Sequence, residues 1–242
     1  MNLSNYFKAF SLISILTITS CDLINSTQEP DKISTQPAFN SSYSVLWALN
    51  TVTTINTGNL GIDIGDTQVE VGTAFAAFVD GAKYTPAGVV KVNDNVLKMQ
   101  SNNAYISEVS LTNPSGIMFS GNVKWIVEGA SNVSAINYTV SKQFPTATGL
   151  EADATVDKSV SYTISLNSVT GADSILFAVN DLIKTVGGSV KSITFTPEQL
   201  AKLKKGPAFV QVAPYNYVIK KYGTKDCVFG NQIVLSKLVT IK

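Results

Sequence analysis

Histidine and arginine are both missing from this chain of 242 residues, so all 18 of its basic side chains are lysines. Without histidine there is no imidazole base, no Ser-His or Cys-His nucleophile pair, and no imidazole ligand for a metal. Without arginine there is no planar fork to grip a carboxylate or phosphate at two points. Carboxylate pairs, Ser-Lys dyads and all-oxygen calcium sites remain open. We nevertheless expect no catalytic activity and no cofactor.

Charge is also scarce. The formal net charge is +1, only 14% of residues are charged, and 45% are apolar. A composition of this kind can bury a hydrophobic core and is not that of a disordered chain. Because no run of basic residues stands out, we expect no nucleic-acid partner.

The first 21 residues have the three parts of a secretory signal peptide. A short polar start carrying Lys8 precedes an apolar run over 9–18, which is too short to span a membrane. The run ends in Ile18-Thr19-Ser20-Cys21, which resembles the lipobox of bacterial lipoproteins. The resemblance implies a signal peptide over 1–20 and a mature chain that begins at a lipid-bearing Cys21. The alternative is an ordinary secretory peptide that happens to end in cysteine.

The lipobox resemblance also implies a location. The lipid would anchor the protein in a bacterial membrane of the cell envelope, at the outer membrane or cell surface rather than the inner membrane. Residues 21–42 are rich in Ser, Thr, Gln, Asn and Pro, which is typical of a flexible tether. A coil of this length spans about 25 Å.

Only two cysteines occur, Cys21 and Cys227. If Cys21 carries lipid, Cys227 has no partner in the chain, and its apolar neighbours Val228 and Phe229 predict a buried, inert thiol rather than a reactive one. The alternative is a Cys21–Cys227 disulfide in a secreted form without lipid.

From residue 43 onward the hydrophobic period is mostly two, which predicts strands. The alternation predicts a strand over 67–79, and Asn93-Asp94-Asn95 has the chemistry of a hairpin loop. Residues 144–151 lack a period and predict an irregular seam. Beyond it, Thr196, Pro197 and Gln199 provide a cap, a first helical residue and a capping-box partner, which predicts one or two helical turns before Gly206.

Short strands with turns every 8 to 12 residues are typical of antiparallel β-sandwiches. The seam divides the strands into blocks 43–146 and 147–242, each near the size of one immunoglobulin-like domain. The whole arrangement resembles bacterial surface lipoproteins with tandem immunoglobulin-like domains. The predicted fold is therefore all-β, with two immunoglobulin-like antiparallel β-sandwich domains after a signal peptide and a tether.

Three sets of side chains are candidates for binding. Trp47, Tyr215 and Tyr217 could form a sugar-stacking platform if they are exposed, whereas the alternation around Trp125 places that residue in the core. The other two sets have plainer explanations as turns and as a solvated face: the carboxylates Asp63, Asp66 and Asp80, which could bind calcium, and the lysines Lys202, Lys204, Lys205, Lys220 and Lys221, which could bind an anion.

The sequence favours a lipid-anchored binding or scaffold protein of the cell envelope without catalytic activity. Its partner would be an envelope protein or a polysaccharide, recognised by loops or by a strand edge. The alternative is a carbohydrate-binding accessory lipoprotein that uses exposed aromatic side chains. A hydrolase with paired carboxylates is a third hypothesis, for which the sequence offers no candidate pair.

Overall fold

The computed structural model describes residues 43–56, 66–81 and 83–242. The predictions for the signal peptide, for Cys21, for the tether and for Asp63 lie outside these residues. Within them, no helix is both long and apolar enough to cross a membrane.

The regular secondary structure of the described chain is almost entirely strand, with one short helix, α1 (Pro197–Leu200). The strands are β1 (Tyr43–Asn56), β2 (Asp66–Asp80), β3 (Lys83–Tyr84), β4 (Val90–Val92), β5 (Asn95–Val96), β6 (Lys98–Met99), β7 (Tyr105–Ile106), β8 (Lys124–Val127), β9 (Ile136–Thr139), β10 (Thr146–Glu151), β11 (Thr155–Val156), β12 (Tyr162–Thr170), β13 (Ser174–Val179), β14 (Leu182–Gly187), β15 (Ser192–Phe195), β16 (Gly206–Tyr222) and β17 (Lys225–Ile241).

A ten-stranded sheet forms the centre of the described structure. Its main path runs β14-β13-β16-β17-β1-β2-β7-β6, with β11 paired to β17 and β3 to β2. The four long strands β16, β17, β1 and β2 lie side by side in the middle. β1 and β17 are parallel, in register from Tyr43 opposite Asp226 to Thr54 opposite Lys237, whereas β1–β2 and β16–β17 are antiparallel.

Two smaller sheets pack against one face of the ten-stranded sheet. The sheet β5-β4-β8-β9 encloses a first core, in which Trp125 meets Leu46, Phe78 and Phe229. The sheet β10-β12-β15 encloses a second core, which contains Ile164, Phe177 of β13, and residues of the long strands β16 and β17. The all-β sandwich prediction is confirmed, as is the prediction that Trp125 is a core residue.

The opposite face of the ten-stranded sheet is also apolar. Successive side chains of a strand point to opposite faces of the sheet, and here both faces carry buried apolar side chains. On β1, Leu46 and Ala48 point into the first core, while Val45, Trp47 and Leu49 belong to a third buried cluster on the other face. This third cluster, which we call the aromatic cluster, also contains Tyr43, Phe75, Ala77, Val79, Ala104, Tyr215 and Val228.

The long strands join the two predicted blocks, 43–146 and 147–242, in one sheet. β1 from the first block is paired along its length with β17 from the second, and Cys227 and Phe229 of β17 lie in the first core. The division at residue 146 and the finer resemblance to immunoglobulin-like domains stay predictions. Any such division has to cut across β16 and β17, since both strands contribute to both cores.

The structure confirms some of the predictions for individual segments and contradicts one. The strand predicted over 67–79 is β2, and the predicted hairpin loop joins β4 to β5 with Asn93 and Asp94 at φ of 42° and 64°. The expectation that residues 144–151 are irregular is wrong, because Thr146–Glu151 forms β10 and pairs with β12. β10 shows no clean period because Gly149 interrupts it at a φ of 66°.

The predicted helix is confirmed as the single turn α1. Pro197 opens it, and the backbone N–H of Thr196 donates to Oε1 of Gln199 at 3.0 Å, as a capping box requires. Leu200 and Leu203 are buried in the second core, so this turn closes one end of that core.

Candidate functional site: the aromatic cluster

Trp47 is the centre of the aromatic cluster. Its indole lies over Gly230 of the neighbouring strand β17, where a Cβ atom would fall far inside van der Waals contact with the ring. The indole Nε1–H donates to Oε1 of Gln232 at 2.9 Å, within the buried interior. Glycine at position 230 therefore allows the indole to lie flat across β17.

Tyr215 approaches Trp47 from the far side of β17. Their ring centroids are 5.9 Å apart with an angle of 54° between the planes, a distance at which aromatic pairs attract. Burial is the main cause that raises the pKa of the Tyr215 hydroxyl to about 12, opposed by a hydrogen bond with Ser174. The hydroxyl is therefore neutral at physiological pH.

Tyr217 packs against the same cluster and is half-buried. Its backbone N–H donates to Asp173, whose two carboxylate oxygens each also lie 2.7 Å from Nζ of Lys142. Asp173 thus connects β16 to the segment that precedes β10.

The structure brings together the three aromatic residues that the sequence singled out, but it does not expose them. Trp47 and Tyr215 are each 2% exposed, so neither meets the condition of exposure that a sugar-stacking platform requires. Tyr215 is buried because the alternation on β16 places it on the face that carries Trp47. Its neighbours in sequence, Pro214 and Asn216, give no sign of that burial. Only Tyr217 retains partial access to solvent.

Cys227 is buried, as predicted. It is 2% exposed within the first core, and burial is the main cause that raises the pKa of its thiol. A neutral, inaccessible thiol has neither the charge nor the access that nucleophilic chemistry requires.

The structure separates the predicted basic cluster into two parts. Lys204 and Lys205 precede β16, whereas Lys220 and Lys221 lie at its other end. At about 3.3 Å per residue the two pairs are roughly 50 Å apart along the strand. They therefore do not form one site.

The predicted calcium ligands are only partly described. Asp63 and the side chain of Asp66 lie outside the described residues, while Asp80 lies 3.6 Å from Nζ of Lys225. Among the residues that are described, no group of three or more Cys, Asp or Glu side chains could hold a metal ion.

Two buried asparagines between the cores form a feature that sequence reasoning missed. Asn216 and Asn231 are opposite each other on β16 and β17 and are 2% and 0% exposed. Asn231 Nδ2 donates to the carbonyl of Lys142 at 2.8 Å, and Asn216 Nδ2 donates to the carbonyls of Gln143 and Gly171, also at 2.8 Å. The sign of this feature in the sequence is an asparagine on each strand at a position where the alternation points the side chain into the core.

No protein-family profile matches this chain, and no curated protein matches it.

Proposed function

We propose that this chain is a lipid-anchored binding or scaffold protein of the bacterial cell envelope, without catalytic activity. The proposal rests on the sequence Ile18-Thr19-Ser20-Cys21, which has the pattern of a lipoprotein cleavage and acylation site. The mature chain would begin at Cys21 and be held to the membrane through it.

The observation that supports this proposal best is the point where the tether enters the fold. Tyr43 is the first residue of β1, and β1 is hydrogen-bonded on one side to β2 and on the other to β17. A pull on the tether along β1 would load both ladders of hydrogen bonds together rather than peel one edge strand away. An anchored scaffold benefits from such an attachment.

The partner would be a protein or a polysaccharide of the envelope, bound at loops or at a strand edge. β9 offers such an edge at the border of the four-stranded sheet, with exposed Asn137 and Thr139 side chains. The edge at β14 is less open. Lys184 on that strand reaches across to donate to the carbonyl of Thr194 at 2.6 Å and stands 4.7 Å from the centroid of the Phe195 ring.

The carbohydrate-binding alternative needs exposed aromatic side chains. Because Trp47 and Tyr215 are buried, these two residues offer a sugar no surface on which to stack.

The proposal is tested by cell fractionation followed by capture of partners. The wild-type protein should sediment with membranes and be released by detergent, whereas a Cys21→Ser variant should be absent from the lipid-modified membrane fraction. Captured from solubilised envelope, the wild type should retain the same protein or polysaccharide in repeated preparations, and an Asn137→Lys, Thr139→Lys variant at the β9 edge should retain less. A wild-type protein found only in the cytoplasm would contradict the proposal.

A further inference from the structure

A loop over 107–120 presents apolar side chains to solvent. Leu111, at the tip of a turn, is fully exposed at 102%, and Met118 and Val109 are 68% and 42% exposed. The loop contains one charged residue, Glu108, and Nζ of Lys98 neutralises it at 2.5 Å.

The base of this loop is fixed to the ten-stranded sheet. Gly72 on β2 exchanges backbone hydrogen bonds with the loop, donating to the carbonyl of Ser115 at 2.9 Å and accepting from Ile117 at 2.8 Å. A Cβ atom on Gly72 would collide with the backbone of Ile117, and one on Gly116 would collide with the backbone of Gly72. Ile117 is buried in the first core, so Leu111 and Met118 project from a rigid support.

Several polar groups near the tip of the loop are paired within the loop itself. Ser110 and Asn113 exchange backbone hydrogen bonds at 3.3 and 3.0 Å, and the Ser110 hydroxyl lies 3.0 Å from that of Thr112. The Asn113 side chain donates to the carbonyl of Gly116 at 3.0 Å. Backbone groups that already have partners can enter a medium of low polarity at a smaller cost than unpaired ones.

We propose that this loop dips into the outer layer of the membrane to which Cys21 anchors the chain, with Leu111 and Met118 buried among the lipids. The proposal rests on the proposed lipid anchor, which would keep the whole chain at a bilayer surface at high effective concentration. Apolar side chains at the interface bind through the apolar area they bury, and two side chains suffice only where an anchor already holds the protein there. An uncharged protruding tip fits lipid better than it fits a protein partner, whose main contacts fill packed pockets.

The test places an environment-sensitive fluorophore on the loop. In Leu111→Cys the new thiol is the one available for labelling, because Cys227 is buried and Cys21 would carry lipid. The control is Val160→Cys, which is 56% exposed on the turn between β11 and β12. The proteins are reconstituted in vesicles of phosphatidylethanolamine and phosphatidylglycerol containing a nitroxide-labelled lipid.

The proposal predicts a blue shift and nitroxide quenching of the label at position 111, without either at position 160, and a loss of both when Met118→Asp is added. A water-like spectrum at both positions would overturn the proposal, as would equal quenching at both. A blue shift in detergent-free solution without vesicles would indicate a protein contact instead and would also overturn it.

A six-histidine insertion after Asp22 separates this proposal from the anchor on which it rests. The chain has no histidine of its own, so the insertion holds the protein on nickel-chelating lipids whether or not Cys21 is acylated. If the mass of the N-terminal peptide shows no lipid, the anchor proposal fails. The loop is then still tested on these vesicles, with the Cys21→Ser change included so that position 111 remains the labelling site.

Discussion

Trp47 and Gly230 lie opposite each other on the parallel strands β1 and β17, and the indole occupies the space that any side chain at position 230 would need. The pair joins a residue near the start of the described chain to one near its end. It also positions the indole for its hydrogen bond to Gln232 and its contact with Tyr215.

Gly230→Ala should therefore destabilise the fold. The added methyl group cannot be accommodated without moving the indole, and overpacking of this kind typically costs about 1–3 kcal/mol. The measurement is the free energy of unfolding from a urea titration. Gly187→Ala is the matched control, since nothing lies within 4 Å of a Cβ atom there, and its effect should stay within about 0.5 kcal/mol.

A double variant identifies the cause of that loss. If the indole is what the methyl group strikes, Gly230→Ala should cost less in a Trp47→Leu background than in the wild type. If the losses of unfolding free energy from the two substitutions simply add, the destabilisation caused by Gly230→Ala does not arise from a clash with Trp47.

Asn231→Ala should also lower stability. It removes a buried hydrogen bond to the carbonyl of Lys142 and leaves that carbonyl without its partner, a change that costs about 1–3 kcal/mol. Asn137→Ala on the exposed side of β9 provides the comparison, with little expected loss. Equal unfolding free energies for the two variants would argue against a structural role for the buried asparagine.

Stability should decline in alkaline solution, and Tyr215 should account for part of the decline. Its pKa is raised from 10.0 to about 12, so the folded state keeps a proton that the unfolded state releases. This contribution is complete below pH 10 and is lost as pH rises from 10 through 12. Urea unfolding of Tyr215→Phe should therefore show a shallower decline over that window than the wild type; identical slopes would contradict the burial of this hydroxyl.

The thiol of Cys227 should resist modification in the folded protein. Burial raises its pKa, so at pH 8 the native chain should react with a thiol reagent far more slowly than the same chain in urea. The assay uses full-length Cys21→Ser, in which Cys227 is the one remaining cysteine. Rapid stoichiometric labelling of the native protein would show that the reagent reaches the first core at Cys227 on β17.

Local chemistry was enough to predict some parts of the fold. Thr196, Pro197 and Gln199 specify α1 through contacts within one turn, and Asn93-Asp94 specifies a hairpin because both residues tolerate positive φ. The alternation around Trp125 likewise predicted its burial. Each of these signals lies within a few residues of the structure it determines.

The pairing of β1 with β17 could not be predicted in the same way. Tyr43 and Asp226 are partners in a parallel ladder but are distant in sequence, and no local pattern encodes that choice. The same limit explains the aromatic cluster. Trp47 and Tyr215 meet only because β17 places Gly230 between them, so their burial depends on a pairing that the sequence does not display.

The most direct test of the central claim is the mass of the N-terminal tryptic peptide from protein purified out of membranes. The chain has no arginine, so trypsin should release residues 21–32, ending at Lys32. A lipid-anchored protein predicts a peptide that starts at Cys21 and carries the added mass of acyl chains, and that is lost in Cys21→Ser. A peptide that extends upstream of Cys21, or an unmodified one that begins at another residue, would contradict the lipid anchor.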